Sequence, residues 1–301
     1  MTHHSPPRTV WSNGIQICFD TFGDESAEPL LLVMGLGAQM IQWDDEFCAQ
    51  LAARGFWVIR YDNRDVGKST HLSGGKRLGL AEFLGHQLFH NPVDAVYTLR
   101  DMADDLVGLM AAIGIDSAHV VGVSMGGMIA QEAALAYPER IRSLTSMMST
   151  TGEPGLPGPT RAAQALLLKA PPKTREEFVR HFVHNWQVMR VGSFPEDDAR
   201  DLRLAERTFD RGLNPAGVGR QLRAILAAES RKERLASLRV PTLVLHGAVD
   251  PLIRLAAGQA TAAAIPGATL VVIEDMGHAI PVRLWTKVLD AIAAHAHAQA
   301  P

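Results

Sequence analysis

The sequence predicts an α/β protein: a mostly parallel, doubly wound sheet with an antiparallel hairpin at its N-terminal edge and a helical cap inserted after the sixth strand. Three observations predict it. Six short, nearly continuous apolar runs recur along the chain, as in strands buried on both faces. Helical patterns lie between most of them. Between residues 150 and 237 the strands stop and only helical patterns remain.

The chain opens with "RTVW" and "GIQICFDTF" on either side of Ser12-Asn13-Gly14, and Asn-Gly between such segments is the strongest short hairpin signal. The apolar runs follow: "PLLLVMG" (29–35), "FWVIRYD" (56–62), "HVVGVS" (119–124), "SLTSMMS" (143–149), "PTLVLHG" (241–247) and "ATLVVIE" (268–274). "WDDEFCAQLAARG" (43–55) is helical with a glycine stop, and "TLRDMADDLVGLMAAIG" (98–114) starts on a threonine cap and stops on glycine. "RLAAGQATAAAIPG" (254–267) and "PVRLWTKVLDAIAAHAHA" (281–298) complete the alternation. After a turn-rich linker, "STTGEPGLPGPT", helices are expected at about 160–170, 174–190, 196–211 and 214–228. Residues 151–236 carry 15 Lys and Arg against 11 Asp and Glu, a net +4, which leaves −7 for the rest of a chain whose net charge is −3. The expected organisation is therefore a core of 1–149 and 238–301 interrupted by a cap of 150–237.

Composition excludes several classes. The 301 residues suffice for one large core plus an insertion, and 47 % hydrophobic with 20 % charged residues is ordinary for a soluble protein. No basic run exceeds two residues, so no nucleic-acid partner is expected. No stretch approaches 18 apolar residues and "MTHHSPPRTV" has no apolar leader, so a cytoplasmic protein without a membrane span is expected. Cys18 and Cys48 are expected to be buried, reduced thiols. His3 and His4 read as a disordered terminus.

The chemistry centres on Gly122-Val123-Ser124-Met125-Gly126, at the end of one strand and the start of a helix. In a G-x-S-x-G turn the serine occupies a strained backbone conformation and its hydroxyl stands exposed above the sheet. The flanking Gly122 and Gly126 leave room where the chain approaches itself. The helix N-terminus behind Ser124 favours a developing oxyanion. A serine hydroxyl is a weak nucleophile until a base takes its proton, and that base needs a carboxylate to fix its tautomer. In this architecture the order is Ser, acid, His. "VLHGAVDPLI" sets Asp250 just past one strand end and "IEDMGHAIP" sets His278 just past the next, both where ligands meet an open α/β sheet. Glu274 and Asp275 are rival acids on the His278 loop itself. His86 and His90 have the spacing of a helical zinc pair but lack the intervening glutamate and a third ligand, so no metal is expected. His181 and His184 read as one side of a helix in the cap.

With these residues in place the chain resembles the α/β-hydrolase superfamily over nearly its whole length. It is similar in particular to the aclacinomycin methylesterase-like branch of bacterial serine esterases. The segments that carry the resemblance are "LLLVMGLGAQMIQWDDEF", "VIRYDNRDVGKST", "HVVGVSMGG" and "MGHAIP". The resemblance implies a Ser124-Asp250-His278 triad that hydrolyses a carboxylic ester through an acyl-enzyme, without a cofactor. It implies an oxyanion hole made by the backbone N–H groups of Leu36 and Met125. Met34-Gly35 stands where the wider superfamily has His-Gly, which leaves backbone donors intact. Asp65 stands where the superfamily often has glycine, and the sequence assigns it no role.

Phe178, Phe182, Trp186, Met189, Phe194 and Phe209 fall in the cap, and Met34, Leu36, Met40, Ile41 and Trp43 near the oxyanion loop. A substrate pocket is expected from Met34, Met40, Trp43, Phe182 and Trp186, which suits a small-molecule ester with an apolar or aromatic part. The same triad also serves carbon–carbon bond hydrolases and cofactor-free perhydrolases, and the same fold serves small-ligand receptors. Substrate and oligomeric state stay open at this level.

Overall fold

A computed structural model describes residues 3–76, 79, 82, 85, 91–167, 172, 174–191 and 194–299. Eight strands form one sheet in the order β1-β2-β4-β3-β5-β6-β7-β8. They are β1 (Arg8–Ser12), β2 (Ile15–Phe22), β3 (Glu28–Val33), β4 (Phe56–Tyr61), β5 (Ala118–Val123), β6 (Ile141–Met147), β7 (Thr242–Gly247) and β8 (Thr269–Ile273). β1 and β2 pair antiparallel, as do β2 and β4, and every pair from β4 through β8 is parallel. The hairpin turns on Asn13 (φ 48°) and Gly14 (φ 78°), the two consecutive left-handed residues that match the twist of the flanking strands.

Each apolar run is continuous because both faces are covered. Leu31, Val33 and Val120 pack into a cluster with Leu99, Met102 and Leu106 of α2 (Leu99–Ala112) and Met125 and Ile129 of α3 (Met125–Ala136). Leu30, Leu32 and Val121 point the other way, into a cluster with Phe47 and Leu51 of α1 (Asp45–Ala52). Trp285, Val288 and Leu289 of the C-terminal helix Trp285–His297 complete that face. Thr98 caps α2 with a full capping box to Asp101.

Between β6 and β7 the described residues hold helices and no strand: α4 (Arg161–Leu167), α5 (Arg175–Arg190), α6 (Asp198–Asp210), α7 (Pro215–Ala227) and the short α8 (Lys232–Leu235). Arg190 ties α5 to Asp198 and Asp201 of α6. α9 (Leu255–Ala264) and α10 (Trp285–His297) follow β7 and β8. Among the described residues no helix is long and apolar enough to cross a membrane.

Cys18 and Cys48 are buried and free. Residue 4 corrects an expectation. His4 is ordered: it pairs with Phe22 in an isolated antiparallel bridge, stacks on the Phe22 ring at 3.9 Å and contacts Asp20 at 3.1 Å. By continuing the β1 side of the pairing along β2, the terminus gains backbone bonds, Ser5 N–H to Thr21 O and Gly23 N–H to His3 O, each at 2.9 Å, that its sequence alone does not advertise.

Candidate active site

Ser124 lies between β5 and α3 with φ 56° and ψ −121°, a conformation that non-glycine residues rarely adopt. The surroundings hold it there. Its N–H donates to Met147 O at 2.9 Å, and its carbonyl accepts from Ser149 Oγ at 2.8 Å. A Cβ on Gly122 would sit 2.1 Å from Gly126 O, and one on Gly126 would sit 2.1 Å from Val33 O. These backbone approaches are why the elbow requires glycine on both sides of the serine.

Asp250 and His278 come from neighbouring strand ends, β7 and β8. Asp250 is 1 % exposed. Its Oδ1 accepts the N–H groups of Leu252 and Ile253, each at 2.9 Å, so the loop fixes the carboxylate before any base approaches. Its Oδ2 lies 2.7 Å from His278 Nδ1, and Nε2, the other ring nitrogen, makes no hydrogen bond among the described residues. The rivals Glu274 and Asp275 are exposed. His246, fully buried beside this pair, contacts Ile253 O at 2.8 Å, and burial holds its imidazole below the usual range. It therefore stands as a neutral neighbour of Asp250, a feature the sequence reading did not single out. Gly247 and Gly277 seat the two loops: a Cβ on Gly247 would meet Met276 O at 2.1 Å, and one on Gly277 would meet Met189 O at 2.2 Å.

The loop after β3 runs past the serine. A Cβ on Gly35 would lie 3.2 Å from Ser124 Cβ and 3.7 Å from Ser124 Oγ. Leu36 follows Gly35 on this loop and Met125 follows Ser124 at the start of α3; among the described residues no backbone carbonyl accepts from either N–H.

The segment after β4, "DNRDVGKS", uses four consecutive residues to tie itself to this loop, to α2 and to the insertion. Asp62 is fully buried, takes the N–H groups of Met40 (2.7 Å) and Lys68 (2.9 Å), and pairs with Arg211 at the end of α6. Asn63 Nδ2 donates to Met34 O at 2.9 Å. Arg64 forms a two-pronged bond to Asp105 of α2. Asp65 has φ 70°, which explains the glycine preference at such a position, yet it is fully buried and the strain is offset by four hydrogen bonds to its carboxylate. Arg220 of α7 donates twice to it, at 2.8 and 2.7 Å, and Tyr97 Oη and Leu72 N–H each donate at 2.8 Å. Burial pushes its carboxyl up, but the Arg220 and Tyr97 bonds outweigh burial and hold it below the ordinary carboxylate value.

The expected pocket residues separate. Trp43 is 2 % exposed and lies in the core, stacked at 5.6 Å on Phe47, which in turn meets Trp285 edge-on. Met34 joins the same core face. Met40 is wholly buried with Cys18, Ile41 and Leu204, and half-buried Phe182 packs against that group. Trp186, also half-buried, sits edge-on to Phe182 at 6.0 Å. An apolar run beside a site loop has the same composition whether it lines a cleft or fills the core, which is why sequence could not separate Trp43 from Trp186. His86 and His90 lie outside the described residues, and among those described no group of three His, Cys, Asp or Glu residues could hold a metal ion.

Known proteins show the family of the chain. The family described as alpha/beta hydrolase fold matches residues 28–282. Rhodomycin D methylesterase DauP of Streptomyces sp. (strain C5) is 32 % identical, over 96 % of this chain and 95 % of that protein. The putative carbamate hydrolase RutD of Azorhizobium caulinodans is 29 % identical, over 83 % and 84 %. The solved 2-hydroxy-6-oxo-6-phenylhexa-2,4-dienoate hydrolase of Rhodococcus sp. strain RHA1 superimposes with a TM-score of 0.75 at 20 % identity, over 98 % and 99 % of the two chains, a likeness of fold.

Proposed function

The chain belongs to the α/β-hydrolase fold family and is a hydrolase, and on that premise we propose that it is a serine esterase, cleaving carboxylic esters with Ser124, His278 and Asp250. The observation that carries this reading is a pair of built features at the carboxyl ends of the parallel strands. A serine is held at φ 56° on a strand-to-helix turn, and a histidine's Nδ1 is fixed 2.7 Å from a buried carboxylate two strands away. In this reading His278 Nε2 takes the proton of Ser124 as the hydroxyl attacks the ester carbonyl. The N–H groups of Leu36 and Met125 receive the tetrahedral oxyanion, each contributing about 3 kcal/mol. His278 returns the proton to the leaving alcohol, and a water it activates then releases the acid.

The helices of 150–237 act as a cap in this reading, with Phe182 and Trp186 of α5 facing the substrate. The aromatic side chains of α5 and the similarity to a rhodomycin D methylesterase support a methyl ester on a bulky aromatic acid as the substrate class.

The test is Ser124→Ala assayed on p-nitrophenyl acetate, p-nitrophenyl butyrate, a methyl ester of an aromatic polyketide and an aryl carbamate. Hydrolysis is expected to fall at least about 1,000-fold with the fold intact. A fluorophosphonate is expected to label the wild type once, on Ser124. Activity of the variant within tenfold of wild type, or label on another serine, overturns the reading. Preferred turnover of the carbamate moves the substrate class.

A further inference from the structure

The loop between β3 and α1 has little shape of its own. From Val33 to Gln39 it holds one internal backbone bond, Ala38 N–H to Gly35 O at 3.3 Å. Its path is set from outside. Asn63 Nδ2 fixes the carbonyl of Met34, and Asp62 Oδ1 takes the N–H of Met40. Between these anchors the Gly37 N–H donates to Gln221 Oε1 at 2.8 Å. Gln221 belongs to α7, is fully buried, and sends its Nε2 to Arg64 O at 2.8 Å. Both ends of one amide are used, so it joins the helical insertion to the loops after β3 and β4. Gly37 lies flat on the same helix: its φ is 67°, and a Cβ there would meet Val218 Cγ2 at 2.9 Å.

We infer that Gln221 is a positioning residue for the oxyanion hole. Its carbonyl holds the Gly37 peptide, and through it the adjoining Leu36 N–H, in the orientation that faces the Ser124 oxyanion. This role rests on the serine-esterase reading. Its physical basis is that a buried N–H left without an acceptor costs about 1–3 kcal/mol, enough to make the loop turn in search of one. Only the tight turn around Gly35 links residues 34–39 internally, so such a turn carries the Leu36 peptide with it. The insertion thereby completes the catalytic apparatus as well as covering it.

The experiment compares Gln221→Leu and Gln221→Glu with wild type in ester hydrolysis, thermal melting and binding of two ketones of one shape. A trifluoromethyl ketone adds to Ser124 and places an oxyanion in the hole, whereas the methyl ketone binds without adding. Gln221→Leu removes both bonds. Gln221→Glu keeps the acceptor for Gly37 and loses the donor to Arg64. For Gln221→Leu, kcat is expected to fall about 10- to 100-fold with KM changed less than threefold, a displaced donor losing less than a deleted one. Trifluoromethyl ketone affinity is expected to weaken by the same factor and methyl ketone affinity to stay. Gln221→Glu is expected to keep most of the activity while melting below wild type, because Arg64 O loses its donor. Hydrolysis by Gln221→Leu within twofold of wild type overturns the role, and so does an equal loss for both ketones, which marks a general packing defect. If Gln221→Leu fails to fold, Gln221→Glu decides alone: a loss as large for the methyl as for the trifluoromethyl ketone overturns the role. A wild type that neither hydrolyses esters nor takes a fluorophosphonate on Ser124 removes the esterase reading and this role with it. An active wild type with an indifferent Gln221→Leu removes the role alone.

Discussion

The backbone N–H of His278 donates to the carbonyl of Met189 at 2.7 Å, so the last turn of α5 seats the loop that carries the candidate base. The insertion thus holds both loops: Met189 takes the histidine loop, and Gln221, with Arg211 on Gln39, takes the loop after β3. A displacement of these helices would disturb both at once.

Gly277 makes the first contact possible. A Cβ there would sit 2.2 Å from Met189 O and 2.5 Å from Arg190 O, both backbone atoms that cannot step aside. Gly277→Ala is expected to push the His278 loop away from α5 and lower kcat/KM about 100-fold, the loss that an ångström of misplacement brings. Steady-state kinetics on p-nitrophenyl butyrate check it. A folded variant with wild-type activity would show that the loop can part from α5 without harm to the site.

Asp65 joins core to insertion through Arg220, which is 8 % exposed. Asp65→Asn keeps a residue tolerant of φ 70° but strands the guanidinium, an expected destabilisation of about 3 kcal/mol in urea unfolding. Adding Arg220→Leu is expected to recover most of it, and strictly additive losses would contradict a direct coupling. The pH window follows from the direction of the shift. A carboxyl held below its ordinary value stabilises the fold above about pH 4, and that contribution disappears as pH falls through the lower folded value.

His119 works in a higher window. It is buried in β5, 2.8 Å from Ser143 Oγ and 3.6 Å from Glu28 Oε2, and burial lowers its imidazole to about 4. The folded chain keeps it neutral while the unfolded chain takes a proton near pH 6.5. Stability is therefore complete above about pH 6.5 and declines as pH falls toward 4. His246 and His295, also lowered by burial, add in the same sense. Urea midpoints of wild type and His119→Gln at pH 7.5 and about pH 4.5 check it: the variant is expected to lose less between the two. Equal losses would mean that His119 does not titrate this way.

Trp186 tests where the substrate lies. Removing one large aromatic contact of about 1.5–3 kcal/mol lowers kcat/KM about 10- to 150-fold. Trp186→Ala is expected to do so for bulky aromatic methyl esters while leaving p-nitrophenyl acetate nearly unchanged. Equal losses on both substrates would place Trp186 in the packing of α5, and no loss on either would place it away from the substrate.

The sequence by itself determined what short-range physics controls. The strand runs follow from apolar residues buried on both faces, as Leu30 and Leu31 point into opposite clusters. The hairpin follows from Asn13 and Gly14 accepting left-handed angles, α2 from the Thr98 cap, and the serine turn from two glycines within two residues of Ser124. Each depends on neighbours a few positions away. What joins them was decided by the tertiary structure. Asp250, not exposed Glu274 or Asp275, meets His278 across 28 residues because its loop is buried at the end of β7. Asp65 acquires its role only when Arg220, 155 residues later, arrives on α7. Gln221 carries no motif at all and lies 184 residues from the peptide it holds. Trp43 and Trp186 look alike in composition, and only packing sends one into the core and leaves the other half-buried on α5. Periodicity and backbone angles are local quantities written in adjacent residues, whereas an unpaired buried N–H or carboxylate finds its partner only once the whole chain has closed around it.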